Sequence, residues 1–414
     1  MDICIIGAGP AGLMAAIGAA NEQNSITIIE ANEKIGKKLF ITGKGRCNIT
    51  NAKPMQEIIE QVVTNKKFLF SAFNSFTNKD IINLLNSYGL STKLERGDRF
   101  FPESDKSSDV LKTFEKICKD KKVKIILNTK VTFIENKDGF FLIYSDNKLI
   151  KKCDKLIIAT GGKSYPTTGS TGDGYKFASS FGHSIVEAKP ALTGILLNNP
   201  DLSSLSGISL KNVSLNFTLK NKKYNEFGEM LFTGNGISGP IVLTASSYIT
   251  QKLKEVKDLY IDMKPALDLD SLDKRLIREL DANPNKNIST ILESLTIKAL
   301  IPIILDRLSV DKEKKANQIS KAERRAIAEE FKRFKLIFKD LLDIKYAIIT
   351  SGGVKVKEIN PSTMESKLVD SLYFAGELID VDALTGGYNL QIAYSTGYLA
   401  GQSASNASNG GINV

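Results

Sequence analysis

Ile3-Cys4-Ile5-Ile6-Gly7-Ala8-Gly9-Pro10-Ala11-Gly12-Leu13-Met14-Ala15-Ala16 is the stretch whose reading decides the fold. Four apolar residues make a short buried strand, Gly7-x-Gly9-x-x-Gly12 makes a tight turn, and Leu13 to Ala20 continues as a helix of small residues. In such a turn the first glycine allows the bend and the second lets the backbone approach a pyrophosphate. The third lets helix and strand pack closely, with the phosphates at the positive helix end. A second apolar run, Ser25 to Ile29, ends in Glu30, eighteen residues after Gly12, where a carboxylate can accept hydrogen bonds from both ribose hydroxyls of a dinucleotide. A secretory leader is not expected, because Asp2 stands where a basic residue would be needed.

At 414 residues the chain has room for two to three domains. Its 42% apolar and 25% charged content is that of a globular protein, and no apolar run approaches the roughly 18 residues of a membrane span. A cytoplasmic location without membrane association is expected. Cys4, Cys47, Cys118 and Cys153 are scattered without a C-x-x-C pair, so neither a disulfide framework nor a zinc site is expected. The single histidine, His183 beside Gly182, argues against a His-based triad and against a multi-histidine metal centre, and reads as structural. No metal is expected. Lys and Arg outnumber Asp and Glu by 56 to 46, which leaves open both an anionic partner and a merely solubilising surface.

After Glu30, the stretch Gly36 to Asn51 is dense in glycine, cations and small polar residues, and reads as a loop laid against a phosphate or ring system. Helices are expected over 55–73, 78–87 and 108–121, and a three-stranded meander over 131–153. Leu156-Ile157-Ile158-Ala159-Thr160-Gly161-Gly162 reads as the second nucleotide-side strand of two-dinucleotide-binding flavoproteins, closing over the cofactor. From about Ala191 the texture turns to short β runs, and from about Pro265 to charged helical periodicity punctuated by Pro284 and Pro302. This pattern is an inserted β domain with a helical insert nested in it. The nucleotide fold resumes at Tyr346. Leu372-Tyr373-Phe374-Ala375-Gly376-Glu377 is a strand ending in glycine and a carboxylate, suited to the ribityl and pyrophosphate part of FAD. Leu384-Thr385-Gly386-Gly387-Tyr388-Asn389-Leu390-Gln391 opens a final helix through Gly401, with a frayed tail after about Ser403. The N-terminus of that helix would aim peptide dipoles at the pyrimidine edge of an isoalloxazine.

Two further stretches carry competing readings. Across 306–339 there are 11 basic residues against 6 acidic, and Arg324, Arg325, Lys332 and Arg333 are candidate RNA contacts. A solvated helix face is the alternative. Gly234-Asn235-Gly236-Ile237-Ser238-Gly239 repeats the glycine spacing and would suit NAD(P), but Pro240 follows at once and no second nucleotide domain surrounds it.

The Gly7 turn, Gly43-Lys44-Gly45-Arg46-Cys47-Asn48-Ile49-Thr50-Asn51, Arg99-Phe100-Phe101-Pro102, Ala159-Thr160-Gly161-Gly162, and Gly376-Glu377 with Thr385-Gly386-Gly387-Tyr388-Asn389 are found together in this order. With them the chain resembles the BaiN/RdsA-type family of bacterial FAD flavoproteins, over nearly its whole length. The Gly-Arg-Cys-Asn loop is the most specific element, since generic FAD oxidoreductases lack it. The resemblance implies an α/β fold with a Rossmann-like FAD-binding domain over 1–190 and 346–408. A β-barrel-like domain over 191–264 and 334–345 and a helical insert over 265–333 would interrupt it. It also implies reduction of an activated carbon–carbon double bond, with NAD(P)H as the electron donor. The substrate would be uridine in large-subunit ribosomal RNA, giving dihydrouridine, or a small molecule such as an unsaturated bile-acid intermediate; an aminoacetone oxidase name also occurs in the family. The chain departs from the family at Gly234, which stands where a histidine is usual, so any role of that histidine cannot operate here.

The cofactor-binding set expected is Gly7, Gly9, Pro10, Ala11, Gly12, Glu30, Lys38, Gly45, Arg46, Asn48, Val131, Thr160, Gly161, Gly376, Glu377, Gly387, Tyr388 and Asn389. Reduction of an enone or of uracil adds hydride to the carbon β to a carbonyl, and a proton must then reach the α carbon. Cys47 is the candidate general acid, since a thiol of pKa about 8.5 is mostly protonated at neutral pH, although Lys44 and Arg46 would lower that value. Packing under the flavin is the equal alternative. Three activities compete: uridine reduction in RNA, a small-molecule reductase or oxidase, and a flavin-dependent tRNA-modifying or RNA-binding protein.

Overall fold

Strand β1 (Asp2–Ile6) sits at the centre of a parallel five-stranded sheet in the computed structural model, which describes residues 1–406. It pairs on one side with β2 (Ser25–Ile29), which pairs with β3 (Lys124–Ile126), and on the other with β4 (Lys155–Ile158), which pairs with Leu372–Phe374. Cys4 lies between Thr27 and Leu156 in register. Ile3, Cys4 and Ile5 are all fully buried, as a parallel strand covered on both faces must be, and this is why β1 reads as an unbroken apolar run. This sheet belongs to a unit made of Met1–Pro190 and the chain from Ile344 onward.

Helix α1 (Pro10–Ala19) follows β1, with Pro10 at its first position, where a missing N–H costs nothing. Its small residues admit the backbone of the helix Tyr388–Asn406. A Cβ on Gly397 would lie 2.2 Å from the Ala11 carbonyl oxygen, one on Gly401 2.0 Å from that of Ala15, and one on Gly18 2.4 Å from that of Tyr398. The meander is present as antiparallel strands Phe133–Lys137, Phe140–Ser145 and Lys148–Cys153.

Two local expectations change. The single helix expected over 55–73 is broken into Met55–Glu60, a strand Val62–Thr64, and a helix Phe70–Ser75. Consecutive β-branched residues at 62–64 favour extended backbone, and Thr64 finds a strand partner in Asp382. Asn65, at φ 55°, then turns the chain. The final helix continues past Gly401 and Ser403 to Asn406, held by Asn21 and Asn24 amides that donate to Ser405 Oγ at 2.8 and 2.9 Å. Positions 407 and 408 of the expected boundary lie outside the described residues.

The second unit, Ala191–Asp343, contains an antiparallel seven-stranded sheet. Its strands include β5 (Ser209–Leu219), β6 (Lys222–Thr233), β7 (Val256–Asp262) and β8 (Phe334–Lys335), paired in the order β8-β7-β5-β6. Between β7 and β8 run four helices, among them α2 (Leu269–Ala282) and α3 (Lys321–Lys332). Leu215, Phe217 and Ile261 of the sheet share one buried cluster with Leu272, Leu276, Ile327 and Phe331 of the helices. No helix among the described residues is long and apolar enough to cross a membrane.

Candidate functional site

The glycine turn is built as its spacing requires. Gly7 has φ 101°, and a Cβ there would lie 2.6 Å from the Ala159 carbonyl oxygen; a Cβ on Gly12 would lie 1.9 Å from that of Gly7. Gly9 differs, because nothing lies within 4 Å of where its Cβ would stand. Gly9 is also the N-cap of α1 and offers no side-chain acceptor, so the first-turn N–H groups from Ala11 onward lack a capping side chain. Packing thus explains the first and third glycines, and open space beside a positive helix end explains the second.

Glu30, 8% exposed at the end of β2, is locked on both oxygens. Oε2 accepts the Ala8 N–H at 2.7 Å, and Oε1 accepts the Asn32 backbone N–H at 2.9 Å and its Nδ2 at 2.6 Å. Asn32, absent from the expected set, also donates to the Thr168 carbonyl at 3.2 Å. Beyond β4, Gly161 has φ 75°, and Thr160 Oγ1 is buried without a partner. Val131 is buried in the core of this unit.

Lys38 and Glu377 are brought together. Lys38 Nζ meets Glu377 Oε2 at 2.6 Å and donates to Ser164 Oγ at 2.6 Å; Glu377 Oε1 accepts Ser164 Oγ at 2.9 Å and the Thr350 N–H at 2.8 Å. Gly376, at φ 72°, donates its N–H to Thr396 Oγ1 at 3.0 Å.

The Gly-Arg-Cys-Asn loop is tied to the start of the final helix. The Asn48 carboxamide donates to the Thr50 carbonyl at 3.1 Å and accepts the Gly387 N–H at 3.0 Å. Thr50 Oγ1 donates to Gln391 Oε1 at 2.7 Å. A Cβ on Gly387 would sit 2.7 Å from the Thr50 backbone. Asn389 accepts the Ala383 N–H at 2.9 Å and donates to the Ala383 carbonyl at 2.8 Å, holding the turn before the buried Tyr388. Gly45 has φ 85°. Arg46 lies over the Phe101 ring at 4.2 Å and is paired with Glu95 and Asp105.

Cys47 is fully buried, and burial pushes its thiol up to about 12. The expectation that Lys44 and Arg46 lower it is therefore corrected: Arg46 is matched by two carboxylates, Lys44 is exposed, and desolvation dominates. A buried protonated thiol suits both the acid and the packing role.

Sequence reading missed a second acidic group. Asp382, 1% exposed, accepts Ser351 Oγ on Oδ1 at 2.9 Å, while its Oδ2 has no partner. Burial raises its carboxyl to about 6, reinforced by the nearby charges of Asp380 and Glu377 and opposed by hydrogen bonds with Thr64 and Ser351. Asp380 accepts Asn65 Nδ2 at 2.9 Å and is raised by burial as well. The signal was present as two carboxylates set in the apolar run 378–383.

The cations expected to contact RNA are engaged elsewhere. Arg324 makes a two-pronged contact with Asp273 at 2.9 and 3.2 Å, and Arg325 reaches Asp270 at 2.8 Å. Lys332 meets Asp262 at 2.6 Å and donates to the Leu267 carbonyl at 2.6 Å. Arg333 pairs with Asp258 at 3.0 Å and lies over the Tyr260 ring at 4.4 Å. The count of charges over 306–339 left out the acidic residues that α2 and β7 bring beside it, so each of these four faces a carboxylate of this chain.

Gly234 and Asn235 form the turn of a hairpin in which Thr233 pairs with Gly236, within the antiparallel sheet and not in a βαβ unit. A cavity of about 300 Å³ is lined there by Leu197, Asn199, Ser203, Thr233 and Gly234, and nothing lies within 4 Å of a Cβ on Gly234. His183 is buried, with Nε2 2.8 Å from Ser366 Oγ. No group of metal-ligating side chains is present among the described residues. The open space at Gly9, the uncapped α1, the fixed Glu30 and the orphaned Thr160 hydroxyl together fit FAD.

A family model described as HI0933-like protein Rossmann domain matches residues 1–403. The chain is 32% identical over 406 residues to the 3-dehydro-bile acid delta(4,6)-reductase of Clostridium scindens, covering 97% of this chain and 98% of that protein. It is 32% identical over 407 residues to the ribosomal RNA dihydrouridine synthase of Haemophilus influenzae, again covering 97% of this chain and 98% of that protein. A solved 3-ketosteroid-delta4-(5alpha)-dehydrogenase from Rhodococcus jostii RHA1, in complex with 4-androstene-3,17-dione, aligns with a TM-score of 0.51 at 13% identity. It covers 98% of this chain and 96% of that one, a likeness of fold alone.

Proposed function

We propose that this chain, which belongs to the HI0933-like Rossmann-domain family and is an FAD-dependent oxidoreductase, reduces uridine to dihydrouridine in large-subunit ribosomal RNA, in the cytoplasm and with NAD(P)H as electron donor. The observation that carries the RNA reading is charge. A formal +10 is in excess of every ion pair the chain can make with itself, so the surplus must be displayed to solvent, where a polyanionic substrate would use it. The end-to-end similarity to a protein named as an rRNA dihydrouridine synthase supports it.

When bound and reduced, FAD would supply the hydride. The residues of this chain have the remaining tasks. The Gly7 to Gly12 turn and α1 would hold the pyrophosphate, and Glu30 the adenosine ribose. The N-terminus of the helix from Tyr388 would favour negative charge on the flavin ring. Lys38 and Glu377, neutralising one another, would offer polar contacts without net charge. Cys47 keeps its proton at neutral pH and is the proposed proton donor to the α carbon.

Reduction of a small enone is a second reading, favoured by equal identity to the bile-acid reductase over the same span. Mapping of dihydrouridine in ribosomal RNA from a deletion strain tests the choice. The modification is expected to vanish and to return with the gene; an unchanged map would leave the small-molecule reading.

A further inference from the structure

Cross-strand partners point to the same side of a sheet, and alternate residues to opposite sides. In the second unit Leu215, Phe217, Leu219, Leu259 and Ile261 are buried in the core, so their strand neighbours look outward. The register lays these neighbours out in rows. Lys223, Thr218 and Lys257 lie opposite one another across β6, β5 and β7; Asp258, at φ 52°, is an extra residue where the register of β7 shifts, which turns Lys257 to the side opposite the buried Leu259. Asn225, Asn216, Tyr260 and Lys335 form the next row, which reaches β8. Phe227, Ser214 and Asp262 form the third, where Ser214 is covered, Asp262 is held by Lys332, and Phe227 is a large ring left 61% exposed.

Charge on this face is unbalanced. Asp258 and Asp262 are already taken by Arg333 and Lys332, and the exposed Glu229, two residues beyond Phe227 on β6, is the remaining carboxylate set against the lysines of this face. Lys223, Lys257 and Lys335 are exposed and, among the described residues, have no carboxylate within ion-pair distance. The short helix before β7, just beyond the Lys257 end of the first row, adds the exposed Lys254. Arg324, Arg325, Lys332 and Arg333 are matched by carboxylates, while Lys223, Lys257 and Lys335 become neighbours only through strand pairing.

We infer that this outer sheet face docks a single-stranded segment of RNA, its phosphates on Lys223, Lys257 and Lys335 and an unpaired base stacked on Phe227. The inference rests on the RNA-substrate reading above and gives that substrate a place on the chain. On β5 and β6 the rows are two residues apart, roughly 7 Å, so one strand laid across them meets cations and an aromatic ring in succession, the combination that single-stranded RNA uses. A duplex would leave Phe227 unused, since its bases are already stacked. A bile acid carries a single carboxylate and cannot neutralise three lysines.

Fluorescence anisotropy of the flavin-loaded protein with a labelled single-stranded RNA of mixed sequence tests the assignment. Lys223→Gln with Lys257→Gln is expected to lower the log–log salt slope by about 1.4, at roughly 0.7 per phosphate on a single strand. Phe227→Ala is expected to weaken binding about fivefold or more. Lys223→Arg with Lys257→Arg is expected to keep the slope, and flavin content is expected to be the same in all variants. If the parent binds RNA and the glutamine pair leaves affinity and slope unaltered, the docking face is wrong while the substrate reading stands. If the parent does not bind RNA and the deletion strain keeps its dihydrouridine, the substrate reading fails and the face with it. Preferential binding to vesicles of phosphatidylserine and phosphatidylcholine over RNA would also overturn the assignment.

Discussion

Lys38 and Glu377, 339 residues apart in sequence, meet at 2.6 Å and share Ser164 as a common partner. Each side chain keeps about a fifth of its surface exposed, so the pair is neither a surface bridge nor a fully buried one. Lys38→Ala leaves the Glu377 carboxylate without its counter-charge and is expected to cost about 1 to 2 kcal/mol, discounted for solvent screening. A double-mutant cycle with Glu377→Gln, read by thermal unfolding, is expected to return a coupling near 1 kcal/mol. A coupling of zero would show that Ser164 and Thr350 alone position the carboxylate.

The bound flavin is expected to be FAD. Heat-released flavin should chromatograph as FAD, because Glu30 and the Gly7 turn form a site for an adenosine ribose and pyrophosphate that FMN lacks. Glu30→Ala is expected to weaken retention by about 1.5 to 3 kcal/mol for a lost charge-assisted hydrogen bond. Release of FMN would refute the assignment of this turn.

Cys47→Ala is expected to leave FAD bound and reducible while slowing substrate turnover by about 10²-fold. With the thiol at about 12, the parent should alkylate very slowly with iodoacetamide at pH 8 and show no thiol ionisation in its pH–rate profile below pH 10. Undiminished turnover in the variant would assign Cys47 to packing.

Asp382 predicts a pH dependence of stability. Its carboxyl is raised to about 6 in the folded chain from an ordinary value of 3.8, so the folded state binds its proton more tightly than the unfolded state does. Stability from this group is therefore fully present below about pH 4 and is lost as pH rises through 6. Asp382→Asn removes the penalty and is expected to be more stable than the parent by about 2 to 3 kcal/mol at pH 8, with a smaller difference at pH 5. Urea unfolding at the two pH values reads it. Equal differences at both would contradict the burial of this charge.

Arg324→Ala is expected to destabilise the second unit by about 1 to 2 kcal/mol, since Asp273 loses a two-pronged partner, and to leave the salt dependence of RNA binding unchanged. A flattened salt slope would return α3 to the phosphate contacts.

The glycine turn, the strand before it and Glu30 were legible because each depends on neighbours within thirty residues, and spacing alone constrains them. The Lys38 pairing with Glu377 was not, because nothing local relates the two. The strand Val62–Thr64 reads as part of a helix until Asp382 is known to lie beside it. Asp382 itself carries no local mark of perturbation, since desolvation is a property of what packs around it. The same limit explains α3: a helix sequence shows its own charges, while the carboxylates that neutralise Arg324, Arg325, Lys332 and Arg333 come from α2 and β7.

Gly18, Gly397 and Gly401 let the first helix and the helix from Tyr388 touch backbone to backbone. On the ribosome that contact sets an order of events. The second unit is contiguous, 191–343, and can acquire its core while synthesis continues. The turn around Gly7 is made before the second unit, yet its helix must wait for a packing partner that begins 381 residues beyond Gly7, at Tyr388. Until then the face of α1 that Gly397 and Gly401 approach lies uncovered, so the helix beside the glycine turn reaches its final packing only once residues 388–406 have been made.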